Sequence, residues 1–337
     1  MTLLLMGDIN VDTTMTIHKY PKLGGDAFAD HISTQPGGGI VNSSASLAGL
    51  GESVALLAAT GQDVWAEMVL TPLKSLGIDL SRVVCLQDAT TGLIFLPIAD
   101  GERTMFSFRG ANALFHPDWV TPQTLHGVDL LHLSGYALLT QSYRDAIKKA
   151  VRLAREANIP ISLDTALEPV LQQKETLRCL LPDLAVCILG LEEAQVLVGG
   201  ESPDECTDLL LAEGVKLVGL KLGRRGALLA TKDDKSYFPI FKVNSIDTTG
   251  AGDSFSSGLI YAYHHRLDLQ TAGTLASALG ALATTVYGGG LGMNWRNKLE
   301  FFLQERRGLP DLEAFGEGIE KLLVYIQPID ARDGYEN

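Results

Sequence analysis

The run Asp247-Thr248-Thr249-Gly250-Ala251-Gly252-Asp253 brings together groups able to hold a phosphate and a group able to take a proton. Small residues at Gly250, Ala251 and Gly252 let a ligand come close to the backbone. The apolar spacing that follows, Phe255, Leu259, Ile260 and Tyr263, makes the run the opening of a helix. Its amides then lie at the positive end of a helix dipole, where an anion is held without Lys or Arg. Asp253 falls in the first turn. A carboxylate there can accept a hydroxyl proton, and it is equally what an ordinary helix start carries. Upstream, Gly37-Gly38-Gly39-Ile40-Val41-Asn42 precedes a second helical stretch, 43–50, and Gly51. That run fits either a close backbone approach to a ligand or a glycine-rich helix cap.

The elements that must position these residues follow from short apolar runs. Leu3–Met6, Val54–Ala58, Leu130–Leu133, Ile159–Leu163, Leu184–Leu189 and Leu217–Leu222 predict buried strands. Gln141–Ala157 and Pro203–Glu213 have helical spacing. Alternating in this way, they predict an α/β fold with a mostly parallel central sheet flanked by helices on both faces. In such sheets the ligand site lies at the carboxyl ends of the strands. Residues 13–36 and 90–110 break the rhythm with strands and turns but no helix, which predicts either a small β-sheet lid or an edge hairpin. Beyond Gly290, Trp295–Gln304 and Leu312–Tyr325 predict two more helices. No linker interrupts the chain, so residues 1–290 read as one domain and 291–337 as its C-terminal helical extension.

The segment Asp247 to Asp253 resembles, at every position, the C-terminal signature of the PfkB family of carbohydrate kinases, the ribokinase-like superfamily. Gly37 to Asn42 resembles the family's N-terminal pattern of two glycines and an asparagine. Gly7-Asp8-Ile9-Asn10-Val11-Asp12 is similar to its first strand and loop, and Gly101-Glu102-Arg103 and Gly110-Ala111-Asn112 to its second lid segment. Lys221-Leu222-Gly223-Arg224-Arg225-Gly226-Ala227 is similar to its nucleotide-side hairpin. The resemblance spans Leu3 to Gly290 and implies ATP-dependent phosphorylation of a hydroxyl on a small sugar-like molecule. It implies Asp253 as catalytic base, with Gly250, Ala251 and Gly252 as an anion hole. Asp12, Gly38 and Asn42 would face the substrate. Asp26, Asp164, Arg103 and Arg109 are further candidates there, though the acids also read as loop caps and the arginines as solvated strand charges. Lys221, Gly223, Gly226, Thr248, Gly250 and Gly252 would meet the nucleotide. Glu193 would act on Mg²⁺ through water, and Asp247 with the Thr249 carbonyl would hold a monovalent cation such as K⁺. One position departs: Gly190 stands where the family often carries Asn. Lid strands in this family often pair between subunits, so a homodimer is expected.

Composition narrows the field. Hydrophobic residues make up 46% and charged residues 20%, as in an ordinary globular enzyme. The formal charge of −13 argues against nucleic acid and anionic membrane surfaces as partners. No apolar stretch is long enough to span a bilayer, and the first ten residues lack the basic region of a signal peptide. The four cysteines form no CxxC pair and predict reduced, mostly buried thiols in a cytoplasmic protein. Neither a Gly-x-Gly-x-x-Gly after the first strand nor a Gly-x-x-x-x-Gly-Lys-Ser/Thr loop is present. His264-His265 read as helix-surface residues rather than zinc ligands. Two alternatives stay open: a nucleoside kinase of the same fold, for which no aromatic base clamp emerges, and a catalytically silent sugar-binding member.

Overall fold

Alternating apolar residues of the first strand, β1 (Thr2–Met6), divide between two separate cores, and this sets the architecture. The computed structural model describes residues 2–326 except 101, 292 and 294. Residues 327–337 of the expected extension and Gly101 of the lid motif lie outside the described residues. So does the side chain of Arg103.

The main sheet has nine strands. From one edge to the other they are β14 (Lys235–Phe238), β13 (Ala227–Thr231), β12 (Leu217–Lys221), β11 (Leu184–Gly190), β10 (Ile161–Asp164), β9 (Val128–Ser134), β1, β4 (Val54–Gly61) and β5 (Val83–Leu86). Pairing is parallel from β12 to β5 and antiparallel at β13 and β14. Every residue of β4 is buried, as strands covered on both faces require. Leu3 and Leu5 face α1 (Gly39–Gly49), α2 (Val64–Ser75), α7 (Ala251–His264), α8 (Leu269–Ala283), α9 (Trp295–Gln304) and α10 (Gly316–Tyr325). Leu4 and Met6 face α3 (Gln141–Glu156), α4 (Leu167–Leu180), α5 (Leu191–Val198) and α6 (Pro203–Ala212). The α3 helix shows why: Tyr143, Ala146, Ile147, Ala150, Val151 and Ala154 recur at three- and four-residue spacing and are all buried.

The expected lid is a second sheet, in the order β3 (Ala29–Gly37), β2 (Asn10–Ile17), β6 (Gly92–Ala99), β7 (Glu102–Arg103), with β8 (Phe106–Phe108) also paired to β6. The edge-hairpin alternative is set aside, since these strands pair with one another and not with the main sheet. Asp12 pairs with Gln35 and with Ile94, so these three share one face. Gln35 on that face reaches the loop at Gly288, so the face looks onto the main body.

The helices expected after Gly290 are present, the second preceded by a 3₁₀ turn at Pro310–Phe315. They are not an appendage. Trp295 is fully buried, and Leu299, Phe302, Phe315 and Ile319 join the core built by α1, α7 and α8. The cysteine expectation needs correcting. Cys187 and Cys206 are buried, but Cys85 and Cys179 are exposed, at a strand edge and on the outer side of α4. Among the described residues, no helix is long and apolar enough to cross a membrane.

Candidate active site

The two glycine runs, far apart in sequence, meet because α1 and α7 pack side by side with their N-termini at one end. Serines line the seam. Ser43 Oγ donates to the Asp253 carbonyl at 3.2 Å, Ser46 Oγ and Ser254 Oγ lie 3.2 Å apart, and Ser257 Oγ donates to the Ser43 carbonyl at 3.2 Å. Small hydroxyl side chains let the backbones approach while satisfying polar groups that would otherwise be buried alone. At the end of the seam Asn42 Nδ2 donates to Asp253 Oδ2 at 2.7 Å. That bond fixes the carboxylate, whose other oxygen lies 3.3 Å from where a Gly39 side chain would begin.

Each glycine of the upstream run has its own reason. A Cβ on Gly37 would fall 2.1–2.3 Å from the atoms of the Asp12 carboxyl. Gly38 adopts φ 106°, and a Cβ there would meet the Asp8 carbonyl oxygen at 2.4 Å. The run is thus a cradle between two carboxylates, Asp12 on the lid and Asp253 on α7. Gly250 caps α7 in the left-handed conformation, φ 72°. Ser254 N–H makes the first i→i−4 bond, to the Gly250 carbonyl, and the amides of Ala251, Gly252 and Asp253 precede it at the positive helix end.

Beside α7 lies a cluster of charges. Lys221 Nζ, at the end of β12, donates to Asp164 Oδ1 at 2.8 Å, and Ser256 Oγ donates to Asp164 Oδ2 at 2.6 Å. Asp164 and Lys221, which the resemblance sends to substrate and nucleotide respectively, are therefore joined to each other and to α7. Burial disfavours the Lys221 ammonium, but Asp164, Glu193 and Asp253 outweigh that and hold its pKa above the ordinary lysine value. Its Nζ lies 3.6 Å from a side chain that Gly252 lacks, so a cation stands directly beneath the helix opening. Glu193 Oε2 accepts from the Gly190 amide at 2.8 Å, closing the first turn of α5. Burial raises the pKa of Glu193 against the opposing pull of Lys221 and that amide. His132 lies deeper. Its Nδ1 is 2.9 Å from Ser162 Oγ, and burial lowers its pKa to about 4.

On the nucleotide side, Gly223 (φ 60°) and Gly226 (φ 89°) turn the β12–β13 connection, and a Cβ on Gly226 would land 1.9 Å from the Phe238 carbonyl oxygen. Asp247 accepts from the Thr249 amide at 2.9 Å and from the Gly288 amide at 3.1 Å, pinning the loop that carries Thr248 to the chain after α8. Asp26 sits on the exposed connection at the far tip of the lid hairpin, away from the cradle. Arg109 is not a solvated strand charge: Nη2 donates to Asp8 Oδ1 at 2.9 Å and Nη1 to the Tyr136 carbonyl at 2.9 Å. The serine seam and the Asp164–Ser256 bond escaped the sequence reading. Their signal was there, in hydroxyls at Ser43, Ser46, Ser254, Ser256 and Ser257 on otherwise apolar helix faces.

ATP and Mg²⁺, which the fold implies, suit these residues. First-turn amides over a buried lysine can donate to phosphate oxygens, and the Glu193 carboxylate offers an oxygen ligand that Mg²⁺ takes directly or through water. A three-layered α/β/α body with a β lid over such a cradle is the ribokinase-like fold. An Escherichia coli structure described as a ribokinase II, in complex with ATP and Mg²⁺, superposes with a TM-score of 0.82 at 24% identity, covering 90% of this chain and 99% of that one. Residues 3–296 match the model of the pfkB family carbohydrate kinases, and the chain belongs to that family. The ribokinase of Bacillus subtilis is 26% identical over 306 residues, 89% of this chain and 98% of the relative. Fructokinase-2 of Oryza sativa subsp. japonica is 28% identical over 296 residues, 81% of this chain and 87% of the relative. The chain is similar to sugar kinases of both kinds.

Proposed function

We propose that this carbohydrate kinase transfers the γ-phosphoryl group of ATP to a hydroxyl of a neutral sugar or polyol, with Asp253 as general base. The observation that carries the reading is the Asn42–Asp253 hydrogen bond at 2.7 Å, which aims a carboxylate across the glycine cradle at the start of α7. As the substrate oxygen bonds to phosphorus, Asp253 takes the hydroxyl proton, the bond from phosphorus to the β–γ bridging oxygen breaks, and ADP leaves. The amides of Gly250 to Asp253 and the Lys221 ammonium face the charge that develops on the transferred group. Mg²⁺ would neutralise phosphate charge, held through Glu193 and bound water. Asp12, Asn42 and Gly38 form the substrate side, where acceptors and a donor suit hydroxyls. Asp164 supports this machinery by holding Lys221 and Ser256. Asp247, which accepts from the Thr249 amide, and the Thr249 carbonyl would supply the oxygen ligands that a monovalent cation takes.

The test is ATP consumption with Mg²⁺ against sugars, sugar acids, polyols and nucleosides, with K⁺ present or replaced by a bulky organic cation. Turnover on a sugar or polyol supports the reading, and loss of rate without K⁺ supports the cation site. Turnover confined to nucleosides would move the substrate to the alternative. Sugar binding without turnover would make the chain a silent member, with Gly190 the first position to change to Asn.

A further inference from the structure

We propose that Glu52, His264 and His265 form a Zn²⁺ site at the end of the molecule opposite the glycine cradle. The α1 and α7 helices share a direction, so their C-terminal ends converge as their N-terminal ends do. Glu52 follows α1 through Gly51, His264 is the last residue of α7, and His265 is its cap. Glu52 Oε1 lies 2.6 Å from His265 Nε2, and Glu52 Oε2 lies 3.8 Å from His264 Nε2. All three ligand atoms fall within 4.8 Å of one another. In a tetrahedral site with zinc–ligand bonds of ~2.1 Å, neighbouring ligand atoms stand roughly 3.4 Å apart. The observed spacings bracket that value, so small side-chain rotations close the site.

The surroundings favour a cation. Two helix C-termini, with the negative ends of their dipoles, converge on it. Glu52 and His264 are 12% exposed and His265 29%, which leaves one side open for a water as fourth ligand. Two imidazoles and one carboxylate suit Zn²⁺ rather than Mg²⁺ or Ca²⁺. The His265 ring is held in place by Tyr261, 4.3 Å between centroids, and by Tyr325 of α10, 5.8 Å. Arg296, a cation near the cluster, is engaged elsewhere, donating through Nε and Nη2 to the Ile326 carbonyl at 3.2 and 3.1 Å. The eleven-residue rise along α7 from Asp253 to His264 puts the cluster roughly 17 Å from Asp253. The ion would therefore clamp the α1–β4 connection to the end of α7 and take no part in the phosphoryl transfer.

The experiment is calorimetric titration of the full chain with Zn²⁺ in the presence of excess Mg²⁺, repeated on Glu52→Gln and His264→Gln. One equivalent should bind, and either substitution should weaken binding at least ~tenfold, since loss of an outer-shell partner alone costs about that much. Imidazole-ring NMR of the unmodified chain gives an answer that does not depend on the variants folding: the His264 and His265 signals should move on adding Zn²⁺. Failure to bind at micromolar Zn²⁺, unchanged affinity in folded variants, or binding that leaves both rings unmoved would each overturn the site.

Discussion

At the scale of single residues, the carboxylate of Asp253 is useful only if it is aimed, and Asn42 aims it. A hydrogen bond to a charged group contributes about 1.5–3 kcal/mol. Replacing Asn42 by Ala should therefore lower kcat roughly 10- to 100-fold with a smaller change in the KM for ATP, as steady-state kinetics would show. A second expectation concerns His132. Its pKa in the folded chain is about 4 against roughly 6.5 unfolded, so below that upper value the unfolded chain takes up a proton the folded chain refuses. Stability is full above about pH 6.5 and falls as the pH drops toward 4, by up to ~3 kcal/mol. Urea midpoints measured across that window should show the decline in the parent chain and a flatter profile in His132→Gln. Asp253 was legible because its signature is contiguous. The Asp164–Lys221 pair was not, since its members lie at the ends of different strands and only the sheet order joins them. The partner of Arg109 was hidden for a related reason: Asp8 sits at the end of another strand.

At the scale of elements, the cradle depends on backbone that only glycine supplies. Gly38→Ala should destabilise the chain by 1–3 kcal/mol or displace the cradle, because the new methyl would face strain at φ 106° and the Asp8 carbonyl together. Thermal unfolding and an ATP-turnover assay would register one or the other, whereas an unaltered protein would show the cradle to be more yielding than its contacts imply. Trp295, the first residue of α9, fills the space left by Gly49 and Gly290, where side chains would begin 2.4 and 2.6 Å from its ring. Trp295→Ala should cost about 3–5 kcal/mol in chemical denaturation. The strands and most helices were readable from apolar periodicity. The packing of α9 and α10 into the core was not, because Gly49, one of the two glycines that receive Trp295, lies on a helix far upstream.

For the whole molecule, the lid raises the question of what covers its outer side. The register places Ile32, Phe95, Phe106 and Phe108 together on the face opposite Asp12, with exposures of 61, 41, 56 and 53%. The homodimer expected from the resemblance would cover this apolar face, lid against lid. Sedimentation should then give a dimer that Phe106→Asp converts to a monomer, while a monomeric parent chain would remove the expectation. The alternation of Phe106 and Phe108 marked a strand in the sequence, but which face each would take depended on pairing with β6, which periodicity alone does not specify.

The assignment of Asp253 as base is tested most directly by comparing the parent chain with Asp253→Asn on whichever sugar or polyol supports turnover, while monitoring ATP binding and folding separately. The amide keeps the shape and the hydrogen-bonding reach of the carboxylate but cannot take the proton. Turnover should fall by about 10²–10⁴ with ATP affinity and melting temperature little changed. Near-normal turnover in the Asn variant would contradict the assignment and require the proton to leave by another route.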